Sequence, residues 1–104
     1  MITASLSGEI KLAIGTVVTY VRVILFGSRA RGTHDSRSDY DILVITPTNF
    51  SATEKLPLKT SIRKKLQQLG LASDILIQSE TEINSKSQLP GHVIKTILTE
   101  GVTL

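Results

Sequence analysis

An apolar run from Tyr20 to Phe26 stops on Gly27-Ser28, and ten residues further on a second apolar run opens with Asp39-Tyr40-Asp41. Tyr20 to Phe26 is rich in β-branched and aromatic residues and reads as a strand. A strand can turn sharply and bring its backbone against a ligand only if the next residue lacks a Cβ, which Gly27 provides. Ser28 then sets a hydroxyl where a helical turn would begin. The first amides of a helix have no internal acceptor and lie at the positive end of its dipole, so the bend makes a seat for phosphate. Arg29 and Arg31 can add charge to that seat.

The two aspartates form the other half of the pattern. Residues two apart on a strand share a face, so Asp39 and Asp41 are expected to project together, roughly 6.5 to 7 Å apart, with Tyr40 on the opposite side. Carboxylates at that spacing can grip a pair of metal ions about 3.5 to 4 Å apart. Like charges this close are unfavourable unless a cation or a proton lies between them. The chain has no Cys and only two His, so the hard oxygen donors favour Mg²⁺ over zinc or copper.

Phe26-Gly27-Ser28-Arg29-Ala30-Arg31-Gly32 followed by Ser38-Asp39-Tyr40-Asp41 resembles the hallmark of the polymerase-beta type nucleotidyltransferase superfamily. It is most similar to the minimal, single-domain branch known as MNT proteins. The resemblance is dense over residues 23–45 and loose over the remainder. It implies transfer of a nucleoside monophosphate from an NTP to a hydroxyl, with two Mg²⁺ ions held by three carboxylates. Asp39 and Asp41 are the first two. The family's third acid lies on a later strand, and Asp74, in Ser73-Asp74-Ile75-Leu76-Ile77, is its candidate, either taking the proton of the attacking hydroxyl or completing the metal shell. Gly27 and Ser28 are expected to hold the β and γ phosphates, with one of Arg29 and Arg31 reaching the triphosphate and the other bracing the loop. ATP is the preferred donor, because related minimal members resemble AMP-transferring enzymes. Members of the branch are commonly encoded beside a helical HEPN protein as antitoxin and toxin, which implies a HEPN ribonuclease as the partner, adenylylated on a tyrosine or simply occluded.

The rest of the chain supplies helices. Leu6, Ile10, Ile14 and Val17 or Val18 recur at helical spacing over about residues 5–17, although Gly8 and Gly15 each weaken such a helix by about 1 kcal/mol. A second strand should run from Asp39 to Thr46 and stop at Pro47. Ser51 to Glu54 has the form of a capping box, while Pro57 also suits a first helical turn, so this helix has two candidate starts. Its stripe is Leu58, Ile62, Leu66 and Leu69, and Gly70 should end it. A third strand over residues 72–77 follows, then a short helix opened by a second capping box at Ser79 to Glu82. A last helix is expected from Pro90, with Val93, Ile94, Ile97 and Leu98 buried and Gly101 as its stop. The reading is α/β: one domain over residues 1–104 with a small mixed sheet of three to four strands and helices packed against it, the nucleotidyltransferase fold.

Composition narrows the function without fixing it. Hydrophobic residues at 40% and charged residues at 20% belong to an ordinary folded protein. No apolar run approaches the roughly 18 residues of a membrane span, and the N-terminus lacks the features of a signal peptide. Cytoplasmic residence is therefore expected, with no membrane partner. The net charge of +3 suits an anionic ligand. Lys59, Arg63, Lys64 and Lys65 sit together with no acid among them, either as a solvated helix face or as a surface for nucleic acid or a partner. His34 and Asp35 are expected in a solvent-exposed loop. Three readings of other classes stay open: an antitoxin that neutralises HEPN by binding alone, a nucleic-acid-binding module, and an aminoglycoside-type transferase. The last is disfavoured, since 104 residues leave no room for the helical domain that larger relatives carry. The same shortage implies an acceptor surface supplied by another chain, and self-association is left open.

Overall fold

The computed structural model describes residues 2–104. In chain order its elements are α1 (Ala4–Gly15), β1 (Arg22–Phe26), α2 (Gly27–Arg31), β2 (Tyr40–Thr46), α3 (Ala52–Gln68), β3 (Ser73–Ser79), α4 (Glu80–Ser87), α5 (Val93–Glu100) and β4 (Val102–Thr103). The sheet order is β3-β2-β1-β4. β2 runs parallel to β3, whereas β1 is antiparallel to both β2 and β4. β4 is the strand that sequence periodicity does not show, because two residues carry no period. Pairing makes it a strand: Ile24 faces Thr103, Leu25 faces Val102, and the Leu104 N–H donates to the Val23 carbonyl at 2.9 Å.

Both faces of the sheet are covered, which explains why Ile42-Leu43-Val44-Ile45 is a continuous apolar run rather than an alternation. Val23, Leu25, Ile42, Val44, Ile75 and Ile77 pack against Ile10 and Ile14 of α1 and Ile62 and Leu66 of α3. On the opposite face, Ile24, Leu43 and Ile45 meet Ile83 of α4 and Ile94 and Ile97 of α5, with Phe26 and Leu76 at the margin. Most of these side chains are between 0% and 3% exposed, and each such burial stabilises the fold by about 1.5–3 kcal/mol.

Local chemistry sets the helix ends. Of the two candidate starts of α3, the capping box prevails: the Glu54 N–H donates to Ser51 Oγ at 3.1 Å and the Ser51 N–H to Glu54 Oε1 at 2.8 Å. Pro57 falls inside the helix. The box satisfies two orphan donors at once, while Pro57, still near the helix start, forfeits a single backbone bond. α4 opens with the same device, Ser79 and Glu82. Lys55 Nζ donates to both oxygens of Glu82, at 3.0 and 2.9 Å, and so joins the starts of α3 and α4. The last helix begins at Val93 rather than Pro90. Residues 89–92 form a turn closed by the His92 N–H on the Leu89 carbonyl, and His92 becomes the N-cap, its Nδ1 accepting from the Ile94 N–H at 3.1 Å. Among the described residues no helix is long and apolar enough to cross a membrane.

α3 ends at the site side of the sheet. Gly70, at φ +81°, donates to the Gln67 carbonyl, and the Leu71 N–H reaches back to Leu66. This pair of bonds uses carbonyls that the helix leaves free, and the left-handed residue between them costs little only as glycine. A Cβ at Gly70 would meet nothing within 4 Å, so Gly70→Ala isolates the backbone cost. We expect it to lower stability by about 1 kcal/mol, a fall in Tm of about 4–8 °C in calorimetry, with the fold retained.

Candidate active site

Strand register brings the site together. Asp41 of β2 lies opposite Phe26 of β1 on one side and opposite Asp74 of β3 on the other. Directly paired residues share a face and adjacent strands are about 4.8 Å apart, so Asp41 and Asp74 project side by side. They occupy the polar end of the face whose remainder is packed under α4 and α5. Leu76, on the same side of β3 as Asp74, packs against the second cluster, while Asp74 is exposed at the strand's open end. Asp39 stands one residue outside β2. That strand starts with Tyr40, whose N–H donates to the Ala72 carbonyl at 2.9 Å, so the expected boundary shifts by one and Asp39 is an exposed loop residue.

Gly27 follows Phe26 directly and therefore sits beside Asp41. It has φ +71°, and a Cβ there would overlap Asp41 Oδ2 and stand 3.1 Å from its Cγ. Two constraints thus fall on one residue, a left-handed backbone and a carboxylate against its Cα. Phe26 is the N-cap of α2 and supplies no side-chain cap bond, so Ser28 is a helical residue rather than the cap. The first amides of α2 are left without an internal partner at the turn beside Asp41.

Asp41 feels this crowding. Its carboxyl pKa is raised above the ordinary value, first because partial burial disfavours the charge, then through repulsion by Asp74 and Asp39, with Arg31 offsetting part of the effect. Arg31 is exposed and is the arginine whose charge bears on Asp41. Arg29 is engaged elsewhere. Its Nε and Nη2 donate to the Ser38 carbonyl at 3.3 and 3.0 Å, and its guanidinium lies 4.3 Å from the centre of the Tyr40 ring. A planar cation that both stacks and donates in a fork holds the Ser38-Asp39-Tyr40 segment against α2. Of the two expected arginine roles, Arg29 fills the bracing one. His34, expected to face solvent, is instead half-buried in the drawn-in loop, lining a cavity of about 100 Å³ with Arg29 and Tyr40; its Nδ1 is buried without a partner. Asp35 is exposed, and its Oδ1 accepts from the Arg37 N–H at 2.8 Å.

A cavity of about 610 Å³ opens beyond Asp39, lined also by Thr60, Arg63, Lys64, Gln67 and Ser73. The basic cluster alone was evident from sequence. Thr60 and Gln67 complete it on one helical stripe, a signal present in their i, i+3, i+4, i+7 spacing. Ser73 had no such signal.

This geometry has relatives. The model of the nucleotidyltransferase domain family matches residues 10–103. The chain belongs to that family. It is an enzyme of the nucleotidyltransferase class, and Gly27, Asp39, Asp41 and Asp74 all lie within the matched residues. It is 32% identical over 83 residues to a Methanocaldococcus jannaschii protein named as a candidate protein adenylyltransferase, a match covering 80% of this chain and 76% of that one. A candidate nucleotidyltransferase from Sulfolobus solfataricus shares the fold with a TM-score of 0.62 at 20% identity, over 95% of this chain and 76% of the other. So does a candidate minimal nucleotidyltransferase, with a TM-score of 0.61 at 24% identity, over 96% and 90% of the two chains. A toxin–antitoxin structure with AMP-PNP aligns at a TM-score of 0.60 and 19% identity, over 93% of this chain and 70% of the matched chain.

The nucleotidyltransferase's donor set fits a hard divalent cation. Asp41 lies beside Asp74 on the neighbouring strand, and its pKa is raised first by burial and then by repulsion from Asp74 and Asp39, which a cation would relieve. Among the described residues no group of three His, Cys, Asp or Glu side chains is placed to hold a metal ion by itself. Mg²⁺ is commonly bound by one or two carboxylates together with substrate phosphates and waters, so an open arrangement of this kind suits it.

Two outcomes test this site. Gly27→Ala should force the Asp41 carboxylate aside and lower nucleotidyl transfer about 100-fold, with a stability loss of at least about 1 kcal/mol read from denaturant unfolding. Folded Asp41 binds its proton more tightly than the unfolded chain does, so its contribution is favourable at low pH and is lost as pH rises through the folded value. Asp41→Asn should therefore raise the Tm of the metal-free protein at neutral pH by about 1–3 °C, a modest gain because solvent screens the carboxyl, and the gain should vanish near about pH 3. A difference independent of pH would remove the repulsion argument.

Proposed function

We propose that this nucleotidyltransferase moves AMP from ATP to a hydroxyl of a partner protein, and that the partner is a HEPN-type toxin for which the chain serves as antitoxin. The observation that carries the reading is Asp41 set between Asp74 on the neighbouring strand and Gly27 at the turn. The relative named as a candidate protein adenylyltransferase supports a protein acceptor. The toxin–antitoxin structure with AMP-PNP, which shares the fold, supports an ATP-like donor and a toxin partner. The HEPN identity comes from the motif resemblance over residues 23–45. Cytoplasmic residence belongs to the same reading.

In the proposed reaction the acceptor oxygen attacks the α-phosphorus in line. A new O–P bond forms as the bond to the β-phosphate oxygen breaks, pyrophosphate leaves with that electron pair, and the hydroxyl proton passes to the Asp74 carboxylate. The Gly27 and Ser28 amides and Arg31 hold the β and γ phosphates, aligning the α-phosphorus and stabilising charge that develops on the leaving oxygens. Asp39, Asp41 and Asp74 would hold two Mg²⁺ ions, which supply charge neutralisation between carboxylates and polyphosphate. Arg29 keeps the Asp39 segment in place.

Incubation with α-labelled ATP, Mg²⁺ and the protein encoded beside it should move label onto that protein. The Asp39→Asn, Asp41→Asn double variant should lower labelling by about 1,000-fold or more. Equal labelling by both proteins would reject transfer at this site. Toxin neutralisation that survives the double change would favour an antitoxin acting by binding alone.

A further inference from the structure

Strand register fixes two of the three acids and leaves the third to other means. Asp41 and Asp74 are ladder neighbours, held by the main-chain bonds between β2 and β3. Asp39 precedes the first residue of β2 and has no place in that ladder. A loop residue loses chain entropy whenever it is ordered, so an unsupported ligand would pass that loss on to every cation it took up. The chain around Asp39 is already ordered without one.

The residues on both sides of Asp39 are tied down. Before it, residues 35–38 close on themselves. The Ser38 N–H donates to the Asp35 carbonyl at 3.2 Å, the Asp35 N–H to Ser38 Oγ at 3.1 Å, and the Arg37 N–H to Asp35 Oδ1 at 2.8 Å. After it, the Tyr40 N–H is bonded to the Ala72 carbonyl at 2.9 Å. Arg29 grips both flanks at once. Its Nε and Nη2 donate to the carbonyl of Ser38, the residue before Asp39, and its guanidinium lies over the ring of Tyr40, the residue after it.

This clasp stands apart from the carboxylates it brackets. Alternation turns Tyr40 to the face opposite Asp41, where it packs on the first core cluster. Beyond burial, the charges that shift the Asp41 carboxyl are those of Asp74, Asp39 and Arg31, and Arg29 is not among them. Arg29 therefore bears on the acids through the main chain it holds rather than through its charge.

From this geometry, and resting on the transferase reading above, we propose that Arg29 and Tyr40 are positioning residues for the divalent cation: their clasp presets the main chain of Asp39, so that metal affinity in the nucleotide-free protein depends on it. The chemistry of the pair says which substitutions matter. A phenyl ring offers a cation the same face as a phenol, so Tyr40→Phe keeps the stack and Tyr40→Leu removes it. Arg29→Lys keeps the charge but loses the planar fork that serves one carbonyl with two N–H groups while covering the ring.

The test titrates Mn²⁺, a paramagnetic substitute for Mg²⁺, into the full chain without nucleotide and reads free Mn²⁺ by electron paramagnetic resonance. Arg29→Gln, Arg29→Lys and Tyr40→Leu should each weaken binding about tenfold or more, whereas Tyr40→Phe should stay within about twofold of the parent. Combining Arg29→Gln with Tyr40→Leu should add little to the worse single change, because both break one clasp. Ser51→Ala removes the cap at the start of α3, the end away from the site, and lowers stability without touching the clasp. Its Mn²⁺ affinity should be unchanged. Should Arg29→Gln fail to fold, the contrast between Tyr40→Leu and Tyr40→Phe carries the same test.

Mn²⁺ affinity that survives Arg29→Gln and Tyr40→Leu but is lost in Asp41→Asn would overturn the proposal and leave the transferase reading standing. An equal loss in Ser51→Ala would overturn it too, since general destabilisation would then account for the effect. A parent chain that binds no Mn²⁺, or binds it equally well after Asp41→Asn, would overturn both.

Discussion

One unfavourable interaction organises this molecule: the carboxylate of Asp41 held beside that of Asp74 in adjacent strands, with a glycine turn against it. The Arg31 charge offsets only part of the cost of that arrangement. The rest is offset by the two apolar clusters on either face of the sheet, which fix β1, β2 and β3 in the register that sets Asp41 beside Asp74. A site of this kind draws on stability generated elsewhere in the fold, the usual relation between a strained functional centre and its scaffold. The same crowding would favour the proposed cation, since a carboxylate repelled by its neighbours gains more from an opposite charge than an isolated one.

Much of this was legible in the sequence where the cause is local. Both capping boxes, the glycine end of α3 and the turn at Gly27 announce themselves within four or five residues, because the bonds that define them close within one turn. The alternation that separates Tyr40 from Asp41 is equally local. The contacts between distant segments were not readable. Strand alternation brings Asp39 and Asp41 to mind as the close pair, whereas pairing makes Asp41 and Asp74 the ladder neighbours, 33 positions apart in the chain. β4 exists only because β1 offers it an edge, and His34 is half-buried beside Arg29 and Tyr40, which no local pattern encodes.

The two arginines of the turn show how alike residues can divide labour. They are two positions apart on a five-residue helix, so they cannot point the same way. Arg29 is spent on geometry, clasping a backbone carbonyl and covering Tyr40. Arg31 stays exposed, and its charge bears on Asp41. Counting basic residues near a phosphate seat would have treated them as equivalent.

Lys55, only 9% exposed, and its bidentate partner Glu82 tie together the first turns of two helices that cover opposite faces of the sheet. Glu82 meanwhile accepts from the Ser79 backbone, so one carboxylate serves a cap and a cross-link together. A lone substitution at either position strands a desolvated charge, whereas an apolar pair of matched volume would leave none behind. A change at one of these positions therefore calls for a matching change at the other, and the loss of Glu82 does the greater damage, because it would also unfasten the beginning of α4.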